Sequence, residues 1–131
     1  MSGLLDTSVI VRYLVQDEPT MARRAAEIIE GTEDLLVSDV ALVETAHVLR
    51  SVYKLSREII VDALLDFLSR ENIFVPGLER ALVLQALLLC RPSGRVSFAD
   101  ALVWAAARSS RIDVVYSFDE RFPGDAIRVR R

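Results

Sequence analysis

Apolar residues along the chain fall either in short continuous runs or in longer stretches with helical spacing. The short runs predict buried strands that lie at Leu4-Leu5, Leu35-Leu36-Val37, Ile73-Phe74-Val75, Val114-Val115-Tyr116 and, as a possible fifth, Ile127 to Val129. The longer stretches predict helices over Val9 to Leu14, Met21 to Glu30, Ser38 or Asp39 to Lys54, a stretch opened by Ser56, Glu79 to Leu89, and Ser97 to about Ser110. Strands and helices alternate, with an extra helix pair after the second strand. This order predicts a parallel sheet covered on both faces by helices.

The size and composition of the chain indicate one domain over residues 1–131. The residues are 52% hydrophobic and the mean hydropathy is +0.31, so we expect apolar surface that a homo-oligomer or a tight partner covers. No apolar run approaches the roughly 18 residues of a membrane span, because Gln85 interrupts the run from Leu82 to Cys90. No secretory signal is expected, since Asp6 follows the first apolar residues at once.

The net charge and the cysteine content bear on the binding partners and the cellular compartment of the protein. The net charge is -3 and the pI about 5.2, which argues against broad electrostatic adhesion to nucleic acid. The single cysteine, Cys90, cannot form an internal disulfide, so a reducing cytoplasm is the simplest compartment. We expect Cys90 to be a small buried apolar residue.

Four of the 19 acidic residues stand apart from the polar faces of the predicted elements. Asp6 follows the first predicted strand and Asp119 follows the fourth. Glu44 lies inside a predicted helix, and Asp100 lies one turn into another, each with apolar neighbours three and four positions away. Carboxylates near a core are costly to ionise, so we expect the four to converge on a positive group. Oxygen ligands without a Cys or His cluster suit Mg²⁺ or Mn²⁺ and do not suit zinc.

Three of these acids have a local structural alternative. Asp6 or Ser8 can cap the helix that follows. The spacing of Ser97 and Asp100 fits a capping box, and Asp119 can be a turn residue.

Glu44 has no capping role that would explain a mid-helix acid on an apolar flank. It precedes His47 by three positions, as in the Glu-x-x-His of di-iron bundles. Such a site needs two of these motifs on a four-helix scaffold, and the chain has one histidine. We therefore expect His47 to be a packed or surface residue.

The chain resembles a PIN domain and, among PIN domains, the short VapC-like toxins of bacterial and archaeal toxin-antitoxin pairs. The resemblance covers nearly all of the chain and is carried by Leu5-Asp6-Thr7-Ser8, by Glu44 in Ser38-Asp39-Val40-Ala41-Leu42-Val43-Glu44, by Phe98-Ala99-Asp100-Ala101 and by Ser117-Phe118-Asp119-Glu120-Arg121-Phe122. It implies a three-layer α/β/α sandwich with a short, mostly parallel central sheet. Ser8 departs from the family pattern, which often has asparagine there.

The resemblance also implies an activity, namely metal-dependent hydrolysis of RNA phosphodiesters. Asp6, Glu44, Asp100 and Asp119 would be the pocket acids around Mg²⁺ or Mn²⁺, with Asp6 and Asp100 as direct ligands and with Glu44 and Asp119 binding through water or a second ion. The hydroxyl of Thr7 or Ser8, together with that of Ser117, would orient these carboxylates or a metal-bound water. Arginines would draw in the RNA backbone, and the candidates are Arg12, Arg91, Arg95 and Arg121.

The partners implied by the resemblance are an RNA, typically tRNA or rRNA, a small antitoxin protein, and a second copy of the chain. A receiver domain is excluded because Lys54, the sole lysine, ends a predicted helix and not a strand. A haloacid dehalogenase-type phosphatase needs an aspartate where Ser8 stands. The remaining alternative is a PIN-like fold kept as a catalytically weak RNA-binding or protein-binding regulatory module.

Overall fold

The computed structural model describes residues 2–131, which form five strands and six helices. In chain order the elements are β1 (Ser2–Leu4), α1 (Thr7–Val15), α2 (Pro19–Ile29), β2 (Asp34–Leu36), α3 (Asp39–Ser51), α4 (Arg57–Leu68), β3 (Ile73–Phe74), α5 (Arg80–Cys90), α6 (Phe98–Ser109), β4 (Val114–Tyr116) and β5 (Arg128–Arg130). Each predicted strand and helix is present. The predicted fold class is confirmed, since helices enclose short parallel strands in a three-layer α/β/α sandwich.

Most helices begin where the sequence supplies a side-chain acceptor for an otherwise unpaired backbone N–H. The hydroxyls of Ser38, Ser56 and Ser97 accept from the residue three positions on, at 3.1, 3.3 and 3.0 Å. The carboxylate of Glu18 caps α2, whose first residue is a proline. Local chemistry therefore sets where the elements start.

Every strand pairing is parallel, as predicted. β1, β2 and β3 form one sheet in that order, with Gly3 opposite Leu35 and Leu35 opposite Ile73. β4 and β5 pair separately, with Val115 opposite Val129. The strands therefore bond in two groups and not in one continuous ladder, because strands of two or three residues offer few ladder hydrogen bonds.

One buried cluster joins residues from α1 through to Ile127. The spacing of Leu42, Ala46, Leu49 and Tyr53 at i, i+4, i+7 and i+11 predicts the core-facing side of this helix. The first three are buried, and Tyr53, just beyond α3, is half-buried against the same cluster. Trp104 on α6 and Phe67 on α4 are the largest side chains in this cluster that are almost fully enclosed. Cys90 is buried as well, as predicted.

Apolar side chains also remain on the surface, as the composition predicts. Large apolar residues that are more than two thirds exposed include Leu4, Val40, Tyr116 and Phe118. Within residues 2–131, none of the helices combines the length and the apolar character that a membrane crossing requires.

The carboxyl ends of β1 and β2 meet at one edge of the first sheet. The N–H of Leu5 donates to the carbonyl of Leu36 at 2.8 Å, so Asp6 and Ser38 follow neighbouring strands at the same level. α1 and α3 start at this edge, and α3 packs against α6. Ligands collect at such an edge in open parallel sheets.

We predict that the core side of α4 carries much of the stability. Leu64→Ala removes a side chain that is 1% exposed and should lower the free energy of unfolding by about 2–5 kcal/mol. Ile59→Ala, on the same helix but 54% exposed, should change it by less than about 1 kcal/mol. Urea denaturation of both variants checks this, and equal losses would contradict the packing described.

Candidate functional site

Two of the four singled-out acids meet in the structure. The carboxyl groups of Asp100, on α6, and Asp119, after β4, lie close enough for each to shift the pKa of the other. Both side chains are half-buried. Nineteen positions separate them along the chain, so the fold and not the local sequence creates this contact.

Asp100 is placed by the start of α6. Ser97 caps this helix, and its hydroxyl accepts the backbone N–H of Asp100 at 3.0 Å. The Ser97 half of the capping box is thus formed, and it leaves the carboxylate oxygens of Asp100 with lone pairs for other partners. The cap therefore fixes the position of Asp100 in the first turn of α6.

Asp119 is held by a turn that follows β4. The hydroxyl of Ser117 accepts the N–H of Asp119 at 3.1 Å, and Oδ1 of Asp119 accepts the N–H of Arg121 at 2.8 Å. The guanidinium of Arg121 lies 3.4 Å from the same oxygen. Ser117 is itself tied to β5, because its N–H donates to the carbonyl of Arg130 at 2.8 Å. Ser117 therefore supports the predicted acid through the backbone.

The two carboxyl groups have opposite pKa shifts. Burial raises the pKa of Asp100, and the adjacent Asp119 carboxyl raises it further. Hydrogen bonds from the Arg121 N–H and guanidinium lower the pKa of Asp119. When the pair holds one proton, these shifts therefore favour Asp100 over Asp119 as its site.

Asp6 is exposed and serves as the N-cap of α1. Its Oδ2 accepts from the backbone N–H of Ser8 at 3.1 Å and from the Ser8 hydroxyl at 2.6 Å. These bonds lower the pKa of Asp6, the hydroxyl bond most. The Ser8 hydroxyl thus bonds the Asp6 carboxylate, and Thr7 is the half-buried first residue of α1. The orienting role of either hydroxyl at a metal site stays a prediction.

Glu44 is exposed on α3 and lines a cleft of about 320 Å³ between α3 and α6. Val40 and Val43 form the α3 side of the cleft, and Ala99 and Val103 form the α6 side. The cleft begins beside Asp100, because Ala99 precedes that residue. The apolar flank expected for Glu44 is present, but it is open to solvent. His47 is a surface residue on the same helix, as predicted.

The donor set suits a hard divalent cation. Mg²⁺ commonly keeps several waters and uses one or two protein carboxylates, which Asp100 and Asp119 provide. Within residues 2–131, no group of three or more Asp, Glu, His or Cys side chains lies close enough to hold one metal ion. Glu44 lies on α3, which packs against α6, and Asp6 caps α1, and the part of both acids in a metal site stays a prediction.

Three of the four candidate RNA-binding arginines are engaged by carboxylates. Arg12 pairs with Asp17 at 3.0 Å, Arg91 makes a two-bond pair with Asp62 at 2.9 Å, and Arg121 contacts Asp119 as described above. The exposed Arg95 has no side-chain hydrogen bond or ion pair within the described part of the chain. Its guanidinium is the most available of the four.

Sequence reasoning missed one residue near the pair, Arg57. Its guanidinium donates to two carbonyls that bracket the loop before α6. A signal was present, because an arginine in the first turn of a helix faces the positive end of the helix dipole. An arginine at such an unfavourable position indicates that its guanidinium binds a group outside its own helix.

Comparison with known proteins gives a family match and similarity to solved structures. The PIN domain family matches residues 3–124, and no curated protein matches. The crystal structure of VapC20, the sarcin-ricin loop cleaving toxin of Mycobacterium tuberculosis, is similar at 23% identity and a TM-score of 0.45. That alignment covers 96% of this chain and 92% of VapC20. The family match spans nearly the whole chain and includes all four acids, and the chain therefore belongs to the PIN domain family.

Proposed function

We propose that this protein is a metal-dependent endoribonuclease that hydrolyses RNA phosphodiester bonds as the toxin of a toxin-antitoxin pair. The observation that carries the proposal is the contact between the carboxyl groups of Asp100 and Asp119 in a PIN domain. Residues 1–131 would act as one catalytic unit. A reducing cytoplasm is the proposed compartment, since the lone cysteine is buried and unpaired.

Placing two like charges together costs free energy unless a cation relieves the repulsion. Asp100 and Asp119 would hold Mg²⁺ or Mn²⁺, with Asp6 and Glu44 contributing from α1 and α3. When bound, the cation supplies charge neutralisation of the phosphodiester and a more acidic water. The role of the chain is to hold the carboxylates in place before substrate arrives.

The chain's own residues orient these acids. The Ser8 hydroxyl turns one oxygen of Asp6 toward α1, which leaves the second oxygen for other partners. Ser97 and Ser117 hold the backbones of the two meeting acids. No protein nucleophile is required by this arrangement.

Substrate RNA must approach an acidic centre, so a nearby cation has to attract its backbone. We propose Arg95 as the main contact, because its guanidinium is exposed and engaged by no carboxylate of the described residues. Arg12, Arg91 and Arg121 would join only if RNA displaces their present partners. The RNA is proposed to be a tRNA or rRNA.

An antitoxin and a second copy of the chain are the proposed protein partners. Val40 and Val103, exposed by 73% and 51%, border the cleft beside the acids, and Phe118, next to Asp119, is 87% exposed. Apolar surface of this kind beside a catalytic centre fits a site that a partner covers.

We predict that the purified protein cuts a mixture of bulk tRNA and rRNA at few sites in the presence of Mg²⁺ or Mn²⁺. Chelator and Asp100→Asn should each abolish the cutting, while Asp66→Asn, an exposed acid on α4, should leave it unchanged. Gel analysis of end-labelled RNA measures this. Mn²⁺ binding without cutting by the folded, partner-free protein would favour the regulatory module instead.

A second prediction separates the capping role of Asp6 from a ligand role. Asparagine caps helices about as well as aspartate, so Asp6→Asn should change the free energy of unfolding by less than about 0.5 kcal/mol. Cleavage should nevertheless fall by about 100-fold if the second carboxylate oxygen takes part in metal binding. The free energy of unfolding and the RNA cleavage rate of Asp6→Asn, measured on the same preparation, distinguish the two roles. Wild-type cleavage by this variant would show that Asp6 is a helix cap and not a ligand.

A third prediction concerns the acid pair without divalent cation. Asp119→Asn should move the pKa of Asp100 down toward its ordinary value, although burial keeps it above that value. NMR titration of the Asp100 carboxyl carbon measures the change, with Asp113→Asn as a distant control. An unchanged Asp100 pKa would show that the two carboxyl groups do not interact.

Asp100 predicts the sign of its own contribution to the pH dependence of stability, while Asp119, whose pKa is lowered, contributes with the opposite sign. Because the folded-state pKa of Asp100 is raised, its contribution is full below the unfolded-state pKa and is lost as pH rises through the folded-state pKa. Asp119→Asn should reduce the stability that is lost on ionisation of Asp100 as the pH rises between its unfolded-state and folded-state pKa values.

A further inference from the structure

Arg57, the first residue of α4, reaches across to the segment that leads into α6. Its Nη1 donates to the carbonyl of Cys90 at 3.0 Å and to the carbonyl of Val96 at 3.1 Å. Cys90 is the last residue of α5, and Val96 directly precedes the N-cap of α6. One nitrogen therefore joins the two ends of the loop over residues 91–96.

Further contacts hold the same loop against Arg57. The guanidinium carbon lies 5.1 Å from the ring centroid of Phe98, on the first turn of α6. A Cβ on Gly94 would stand 3.8 Å from Nη2 of Arg57, so the middle of the loop also touches the guanidinium. The Cys90 thiol lies 3.7 Å from the carbonyl of Ser97, a weak bond to the cap residue itself.

The positive charge of Arg57 stabilises the loop over residues 91–96 and the C-terminus of α5, and not α4, its own helix. A cation in the first turn of a helix is unfavourable for that helix, whereas a cation at a helix C-terminus is favourable. The carbonyl of Cys90 is one of the terminal carbonyls that α5 cannot satisfy internally. The Arg57 guanidinium thus binds both the last carbonyl of α5 and the carbonyl that directly precedes the N-cap of α6.

The acid pair lies close to this point. Ser97 and Asp100 occupy the first turn of α6, immediately after the carbonyl that Arg57 binds. Burial raises the pKa of the Cys90 thiol to about 11, and that group is near enough to sense the charges of both Arg57 and Asp100. A shift of the loop end would move the cap, and with it Asp100, relative to Asp119 on its separate turn.

We propose that Arg57 is a positioning residue, which fixes the start of α6 so that the carboxylate of Asp100 stays beside that of Asp119. The proposal rests on the proposed function, because it assigns the pair to metal binding and cleavage. Arg57 is itself half-buried and its Nη1 is committed to carbonyls. It therefore acts on the turnover number and on metal affinity, and not on binding of RNA.

The chain contains a matched control in Arg80. It is likewise the first residue of its helix, donates to two backbone carbonyls, those of Glu71 and Ile73, and stacks over Phe74 at 5.0 Å. Its contacts lie at β3 and away from α6. Loss of either arginine removes equivalent bonds, but only one set touches the loop before Asp100.

The experiment compares Arg57→Met with Arg80→Met at a temperature where circular dichroism shows both to be folded. Arg57→Met should lower kcat by about 10-fold to 100-fold and raise the Mn²⁺ concentration for half-maximal activity several-fold, with KM for RNA within about twofold. Arg80→Met should keep all three values. Arg57→Lys, which retains a cation within reach of a carbonyl, should recover part of the loss and replaces Arg57→Met if that variant does not fold.

Isothermal titration with Mn²⁺ alone separates this proposal from the proposed function. Weaker Mn²⁺ binding by Arg57→Met than by Arg80→Met supports the positioning role even if the wild type cuts no RNA. Wild-type kinetics and metal binding in Arg57→Met would overturn it, as would equal losses in the two variants. A rise in KM alone would overturn it too, because Arg57 would then contact RNA.

Discussion

Repulsion between the carboxyl groups of Asp100 and Asp119 is the constraint on which the rest of this site depends. Neither group would stay beside the other in a flexible chain, because two like charges in a half-buried place separate when they can. Asp100 is held by the Ser97 cap, and Asp119 is held by a turn that Ser117 and Arg121 close. The indole N–H of Trp104, one turn after Asp100, donates to the carbonyl of Asp125 and ties the turn segment to α6.

Helix capping and the candidate chemistry use the same positions. Asp6, Ser38 and Ser97 each begin a helix, and the N–H groups there carry partial positive charge. Such a terminus favours the ionised form of a nearby acid, and the pKa of Asp6 is lowered, whereas burial and the adjacent Asp119 carboxyl raise the pKa of Asp100. The capping and ligand interpretations of Asp6 and Asp100 are compatible. The Asp6 carboxylate accepts one backbone N–H and keeps lone pairs for a cation, while at Asp100 the backbone N–H, and not the carboxylate, takes part in the Ser97 cap.

Two sets of arginines differ in the groups that their side chains contact. Arg12, Arg91 and Arg121 are neutralised by carboxylates near the surface, where ion pairs add little stability and can exchange for phosphate. Arg57 and Arg80 bind backbone carbonyls and stack on phenylalanine rings, which makes them parts of the scaffold. Of the four candidate RNA-binding arginines, this leaves Arg95 as the one that no carboxylate of the described residues engages.

The order of strands and helices, their caps and the buried faces followed from the sequence alone, because helix periodicity and capping are local properties. Leu42, Ala46 and Leu49, for example, were predictable from their spacing. The meeting of Asp100 with Asp119 and the separate pairing of β4 with β5 were decided by tertiary packing, since both depend on segments distant in the chain. Arg57 shows the same limit, as its two carbonyl partners lie 33 and 39 positions away.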